Sequence, residues 1–171
     1  MLRSWLLPLF CFTLLAQAPP PKAPPDPLAI SRDLQSRIRY CTLVTLNDQG
    51  AADARVMDAF PMEADGSLWL ATKAGSRKAA QIRKDPRVTL IWFEASTQSY
   101  ATLTGTAALV DDPAEKAKRW KEAWKAFYDD GPRGADYLLI RVRPTRLEIS
   151  SPSTGLMNDP KTWKPVTVAL P

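Results

Sequence analysis

The feature that most restricts what this chain can become is a succession of short β-forming runs separated by turn residues. The stretch "CTLVTLNDQGAADARVMDAF" sets two such runs on either side of Asn47, Asp48 and Gly50, residues that supply hairpin turn chemistry. "GSLWLAT", "RVTLIWFE", "SYATLTGTAALV" and "YLLIRVRPTRLEIS" follow, rich in branched and aromatic residues, which favour strands. Six or more antiparallel strands with few helices predict a mainly β fold, a closed or partly closed barrel, and not a parallel nucleotide-binding sheet. Neither a glycine-rich dinucleotide fingerprint nor a phosphate-binding P-loop is present.

Within these runs Gly105 is expected to mark a bulge or sharp bend. Pro144 is expected to interrupt regular pairing or mark an edge, because it has no N–H to give to a ladder. In the last ribbon Leu138, Ile140 and Val142 alternate with Leu139, Arg141 and Arg143, predicting one mostly apolar face. "DPLAISRDLQSRIRY" reads as a short amphipathic helix with Leu28, Leu34 and Ile38 turned inward. The clearest helix is "DDPAEKAKRWKEAWKAFYDDG", with Asp112 as cap, Pro113 in the first position and Glu115 completing an approximate capping box. Its expected apolar stripe is Ala117, Trp120, Trp124 and Phe127. In the tail, Trp163 and "VTVAL" are expected to add a strand or dock on the body.

The 171 residues, 45% of them apolar, suffice for one domain with one core. Residues 1–18, "MLRSWLLPLFCFTLLAQA", have one cation, a short apolar stretch and small residues at Ala16 and Ala18, the pattern of a signal peptide. Export to a periplasmic or extracellular site is therefore expected. A cytoplasmic protein, or one retained by an N-terminal anchor, is the alternative, since Pro19 would hinder cleavage. Residues 19–27 form a stiff proline-rich linker, and residues 28–171 the folded domain.

Composition removes several kinds of chemistry. The formal charge of +5 is spread among interspersed acids, which suits anionic small ligands better than nucleic acid. There is no histidine, which excludes histidine-ligated zinc and haem, histidine triads and histidine acid–base catalysis. Beyond residue 18, Cys41 is the only cysteine; within an apolar run it reads as packing.

One turn is unusual. "TKAGSRKAAQI" runs from the end of a strand at Thr72 into a helix start carrying Ser76, Arg77 and Lys78. A serine cap, early helix amides and two cations make a credible phosphate cradle; an ordinary solvated turn has the same residues. Arg55, in "DARVMDAF", shares a strand face with Met57 and invites a partner, while Val56 and Asp58 point to the other face.

From Leu28 to Ser150 the ordered combination of these stretches resembles the split barrels related to pyridoxamine 5'-phosphate oxidase, and in particular the general stress protein 26-like branch. The resemblance implies an FMN-binding split β-barrel with short peripheral helices. It implies that Arg55, Ser76, Arg77 and Lys78 surround the FMN phosphate. It further implies that Val56, Met57, Leu70, Ala71 and Thr72 lie beside the ring or ribityl chain, largely through their backbone. Gln98 is implied as a contact from a second subunit, in a homodimer with flavin at the interface. The C-terminal arginine and histidine pattern with which true pyridoxamine phosphate oxidases hold substrate is missing, so vitamin B6 oxidation is not expected. The leading expectation is an FMN flavoprotein, an oxidoreductase if it turns over. The alternatives are a non-catalytic module binding flavin or another phosphorylated ligand, and a deazaflavin-dependent reductase.

Overall fold

The computed structural model describes residues 25–171; the expected signal peptide and most of the proline-rich linker lie outside the described residues. The first element, α1 (Pro27–Arg37), starts where the Asp26 side chain accepts the Leu28 N–H at 3.0 Å and Pro27 takes the first helical position, an arrangement that satisfies or removes otherwise orphaned donors. Leu34 is buried as expected, and Leu28 and Ile38 pack against the core.

Seven antiparallel strands follow in one sheet: β1 (Tyr40–Leu46), β2 (Ala52–Asp58), β3 (Leu68–Lys73), β4 (Arg87–Glu94), β5 (Ser99–Val110), β6 (Tyr137–Ser150) and β7 (Val166–Ala169). Along the sheet the order is β2-β1-β4-β5-β6-β3, with β7 added on β6. The first hairpin turns as the sequence predicts: Asn47 Oδ1 accepts the N–H groups of Gln49 and Ala51, and Gly50 takes φ 77°. The helix α2 (Arg77–Lys84) lies between β3 and β4 and buries Ala79, Gln81 and Ile82.

The sheet curls until its two outer strands meet. Ala59, just past β2, bridges Leu70 of β3, and the Phe60 N–H donates to the Trp69 carbonyl at 2.9 Å. Beyond that point β2 and β3 are not paired, so the barrel is closed at one level and split at the next. Inward-facing residues alternate along the strands and fill the interior with Leu43, Leu70, Leu90, Leu103, Leu147 and Ile149, all fully buried. Cys41 belongs to this core, and burial pushes its thiol up to about 12.

Curvature is built into the pair β5–β6. The register shifts between Thr104 and Gly105, where Gly105 lies opposite Pro144. Pro144 is also the place where β6 changes its other neighbour, from β3 along Tyr137–Val142 to β7 along Arg146–Ile149. The proline thus occupies the one stretch of β6 with no ladder on that side. A Cβ on Gly105 would collide with the Arg143 carbonyl oxygen and lie 2.7 Å from the Pro144 Cα.

Three sequence expectations need correction. The long helix predicted from Asp112 onward stops after two turns: α3 (Pro113–Lys118) gives way to 3-10 turns at Glu122–Ala126 and Gly131–Arg133. Two cations pulled inward outweigh helix continuity. Lys116 donates to the Gly134 carbonyl at 2.9 Å and pairs with Asp111, while Arg119 stacks 3.6 Å over Trp69 and pairs with Glu63 and Glu115. Ala117 is consequently exposed, and Trp124 and Tyr128 are buried, leaving Phe127 outside. Second, Leu139 is as buried as Ile140, because this excursion covers the outer face of β3 and β6 with a cluster of Trp69, Trp124, Tyr128 and Tyr137. Third, "VTVAL" does supply β7, but Trp163 is 77% exposed and does not dock.

Replacing Gly105 by alanine should destabilise the domain by about 1–3 kcal/mol, as forced overpacking does, read as a lower urea midpoint. The neighbouring Thr106→Ala, at an exposed position, should leave the midpoint nearly unchanged.

Candidate functional site

The split between β2 and β3 opens into a cleft of about 660 Å³, within the range that accepts a small molecule or cofactor. One side is the free edge of β2 at Val56, Met57 and Asp58; the other is the free edge of β3 at Ala71, Thr72 and Lys73. Had the bridge at Ala59 and Leu70 continued, these stretches would face each other in a ladder. Their main-chain groups on that side are instead available to a ligand.

The floor of the cleft is the start of α2. Ser76 caps it, with Oγ accepting the Ala79 N–H at 3.3 Å, and the same hydroxyl lies 2.8 Å from Thr72 Oγ1. Lys78 Nζ donates to Thr72 Oγ1 at 3.2 Å. Serine forms this cap because its short side chain reaches back to the first turn, and the free amides and dipole of the helix end favour an anion at the same place.

Arg55 stands behind this group. Its Nη1 donates to Thr45 Oγ1 at 2.6 Å and to the Leu43 carbonyl at 3.3 Å, and its Nη2 to Gln81 Oε1 at 3.1 Å. Thr45 in turn donates to Gln81 Oε1, and Gln81 Nε2 donates to Asp53 at 2.6 Å. The guanidinium is therefore held in orientation by neutral groups. Partial desolvation first, and then the nearby Arg77 charge, hold Arg55 below its ordinary value; desolvation, Arg55 and Arg77 do the same to Lys78. Among the described residues neither Arg55 nor Lys78 has a carboxylate within ion-pair distance. Asp53, which pairs with Arg77 and favours the charged form of Arg55, offsets the three cations only in part, and cations so incompletely compensated are costly unless a ligand completes them.

The sequence-derived residues do not all converge. Val56, Met57, Ala71, Thr72, Ser76 and Lys78 line the cleft, with Arg55 supporting its floor. Leu70 is fully buried in the barrel, so only its main chain is near the split. Arg77 turns to an adjacent hollow, where it meets Asp53 at 3.4 Å with its side chain 73% exposed. Gln98 sits in the β4–β5 turn with φ 55° and does not line the cleft of its own chain.

Residues that sequence reasoning did not assign to the site come from the excursion between β5 and β6. Trp124, Phe127, Tyr128 and Asp136 form the outer wall. The aromatic spacing signalled packing, and nothing local revealed that the packed segment would border the split. Gln81 was also missed, because its burial is set by Thr45, Asp53 and Arg55 on other strands and leaves no local signal.

The strand order and the cleft in the split define a split-barrel protein, with a capped cationic turn at the floor of the cleft. The sequence matches the model of the family described as pyridoxamine 5'-phosphate oxidase like over residues 28–155, and the chain belongs to that family. Among solved structures it is similar to a Clostridium acetobutylicum protein related to general stress protein 26 of B. subtilis, with 19% identity and TM-score 0.68, covering 84% of this chain and 94% of that one. General stress protein 26 of Bacillus anthracis superposes with TM-score 0.64 at 20% identity, covering 81% and 98%. A haem-binding protein from Mycobacterium smegmatis gives TM-score 0.62 at 18% identity, covering 75% of this chain and 55% of that one. No curated protein matches the sequence.

The electrostatics of the floor can be read in the protein alone. Because burial first, and then the Arg55 and Arg77 charges, hold folded Lys78 below its ordinary value of 10.5, its charge opposes folding at neutral pH; stability is regained as pH rises through the folded value towards 10.5, where the unfolded chain binds more protons. Lys78→Met should therefore raise the urea midpoint at pH 7 in anion-free buffer, and the gain should shrink as pH rises towards 10.5. Saturating inorganic phosphate should reverse the order of the two proteins.

Proposed function

We propose that this protein binds FMN in the split between β2 and β3 and acts as a flavin-dependent oxidoreductase. The observation that carries this reading is the floor of the cleft, where Arg55 and Lys78 gather beside two hydroxyls and a helix start without a carboxylate partner. That donor set suits a terminal phosphate, with Lys78 as a compact cation, Ser76 and Thr72 as hydroxyl donors and Arg77 swinging in from the adjacent hollow. The free edges at Val56–Asp58 and Ala71–Lys73 would hold the polar rim of a flat ring through main-chain groups. Bound there, a flavin would supply hydride or single-electron transfer. The chain's own part is to anchor, orient and exclude water; the aromatic outer wall serves the last of these.

A second copy of the chain is part of the proposal. The outer face of β2, β1, β4 and β5 carries Val56, Thr42, Ile91 and Thr102 in direct register, extended by Val44 and Phe93. These six residues bear no charge, Asp58 beside Val56 and Glu148 beside Thr102 mark the margins, and Val56 and Phe93 are 69% and 60% exposed. Uncharged, contiguous sheet surface beside the cleft mouth is the signature of an interface. A homodimer seated on it would cap the split and is the arrangement in which Gln98 of one chain could reach the other's flavin.

A reading without turnover is favoured by one observation: Asp58, the carboxylate on the β2 edge of the cleft, is already engaged by Arg39 at 2.9 Å and Lys121 at 3.1 Å. A bound flavin that NADH or NADPH cannot reduce would favour a carrier role. A haem, as named for the Mycobacterium smegmatis neighbour, would find no histidine in this chain. Titration with FMN and a deazaflavin side by side separates those two cofactors.

Removing Arg77 and Lys78 together should weaken FMN binding by about 10- to 100-fold, the scale of lost charge-assisted hydrogen bonds, as read by flavin fluorescence. Lys84→Ala with Arg87→Ala should change it little, since those cations already pair with Asp48 and Asp85. Equal losses would mean general electrostatics. Ile91→Arg should give a monomer by sedimentation; an unchanged particle would place the interface elsewhere.

A further inference from the structure

The two guanidinium groups near the floor are held in different ways, and one carboxylate accounts for the difference. Arg55 is fixed on both arms: Nη1 donates to the Thr45 hydroxyl at 2.6 Å and the Leu43 carbonyl at 3.3 Å, and Nη2 donates to Gln81 Oε1 at 3.1 Å. Arg77 lies in the open hollow and, among the described residues, forms one ion pair, from Nε to Asp53 Oδ2 at 3.4 Å. The same oxygen of Asp53 accepts the Gln81 Nε2–H at 2.6 Å. Asp53 stands on β2 directly opposite Thr45 of β1, within reach of both networks.

The bond from Gln81 to Asp53 decides which way the glutamine amide faces. An amide offers donors on one side and an acceptor on the other. With Nε2 turned to the acid, Oε1 is left for the Arg55 guanidinium and the Thr45 hydroxyl, which both donate. Turned over, the amide would set donor against donor at a site where Gln81 is buried and solvent cannot relieve the mismatch. Asp53 thus steadies Arg55 through a neutral intermediary and draws Arg77 off the floor directly. Asp48, the other acid of the hollow, is engaged by Lys84 at 2.8 Å.

We infer that Asp53 is the positioning residue of the anion floor: through Gln81 it fixes Arg55 as the permanent part of the site, and through its ion pair it keeps Arg77 in reserve, so that an arriving phosphate must exchange with Asp53 for that second guanidinium. This role rests on the reading of the floor as a phosphate site and does not depend on which phosphorylated ligand arrives. Its consequence is a ligand held exchangeably, because Arg77 has a partner to return to.

Calorimetry of the full chain with inorganic phosphate, in low-salt buffer at pH 7, tests this with two variants that remove the same charge. Asp53→Asn keeps an acceptor for Gln81 and releases Arg77, so phosphate should bind about two- to fivefold more tightly, the scale of an exposed ion pair no longer in competition. Most of that gain should be lost when Arg77→Gln is added. Asp53→Leu also releases Arg77 but leaves the Gln81 amide without its acceptor; phosphate should bind it at least about fivefold more weakly than Asp53→Asn, the scale of a buried donor left unmet. Circular dichroism checks the fold of the leucine variant, and the asparagine variant with and without Arg77→Gln decides the matter alone if that fold is lost. Equal tightening by the two variants would reduce Asp53 to one charge among several and overturn the role. So would an asparagine variant that binds no more tightly, or one whose gain survives Arg77→Gln. Absence of any phosphate binding would remove the anion floor and the role of Asp53 with it. If phosphate follows the expected pattern while FMN fails to bind, the flavin reading falls and the role of Asp53 stands; if FMN binds and the pattern is missing, the reverse holds.

Discussion

Two strand edges that join for one bridge and then part are the constraint on which the rest depends. A sheet that closed fully would leave no backbone free, and one that stayed open would have no core inside it. The Ala59–Leu70 bridge closes the barrel at the level where Leu70 is buried, and the next residues on each strand are left as facing, unpaired edges. The bend that brings those edges together is made far away, where Gly105 passes too close to Arg143 and Pro144 for any side chain. Core packing and cleft geometry therefore share a cause.

Charge distribution within the cleft divides its labour. The floor sets Arg55, Arg77 and Lys78 against the one acid Asp53, while the mouth sets Arg39, Lys121 and Lys73 against Asp58 and Asp136. Neutral hydrogen bonds from Thr45, Gln81 and the Leu43 carbonyl orient Arg55 without cancelling it. Such preorganisation lets a field act on a ligand at little reorganisation cost. Belonging to the pyridoxamine 5'-phosphate oxidase-like family accounts for the scaffold.

The strands, the Asn47–Gly50 turn, the Gly105 irregularity and the Ser76 cap were all legible in the sequence, because each follows from local chemistry within a few residues. Seven of the ten residues assigned to the site, Arg55 included, line or support one cleft for the same reason: they sit on strand edges and on a helix start. What could not be read was non-local. The helix predicted from Asp112 fails because Lys116 and Arg119 find partners on Gly134, Glu63 and Trp69, distant in the chain or across a loop. Arg77 was placed on the phosphate by its neighbours in sequence, yet an acid on β2 draws it aside. The role expected of Gln98 would need a second copy, which no single chain displays.

The buried thiol of Cys41 has a consequence of a different kind. Held near 12 inside the barrel, it remains un-ionised in any ordinary medium, and un-ionised sulfur is a poor nucleophile toward oxidants, alkylating agents and mixed disulfides. Cys41 is thus indifferent to whether its surroundings are reducing or oxidising for as long as β1 stays in place. Its chemical vulnerability begins when the barrel opens, so the lifetime of this thiol in a harsh medium is decided by opening frequency.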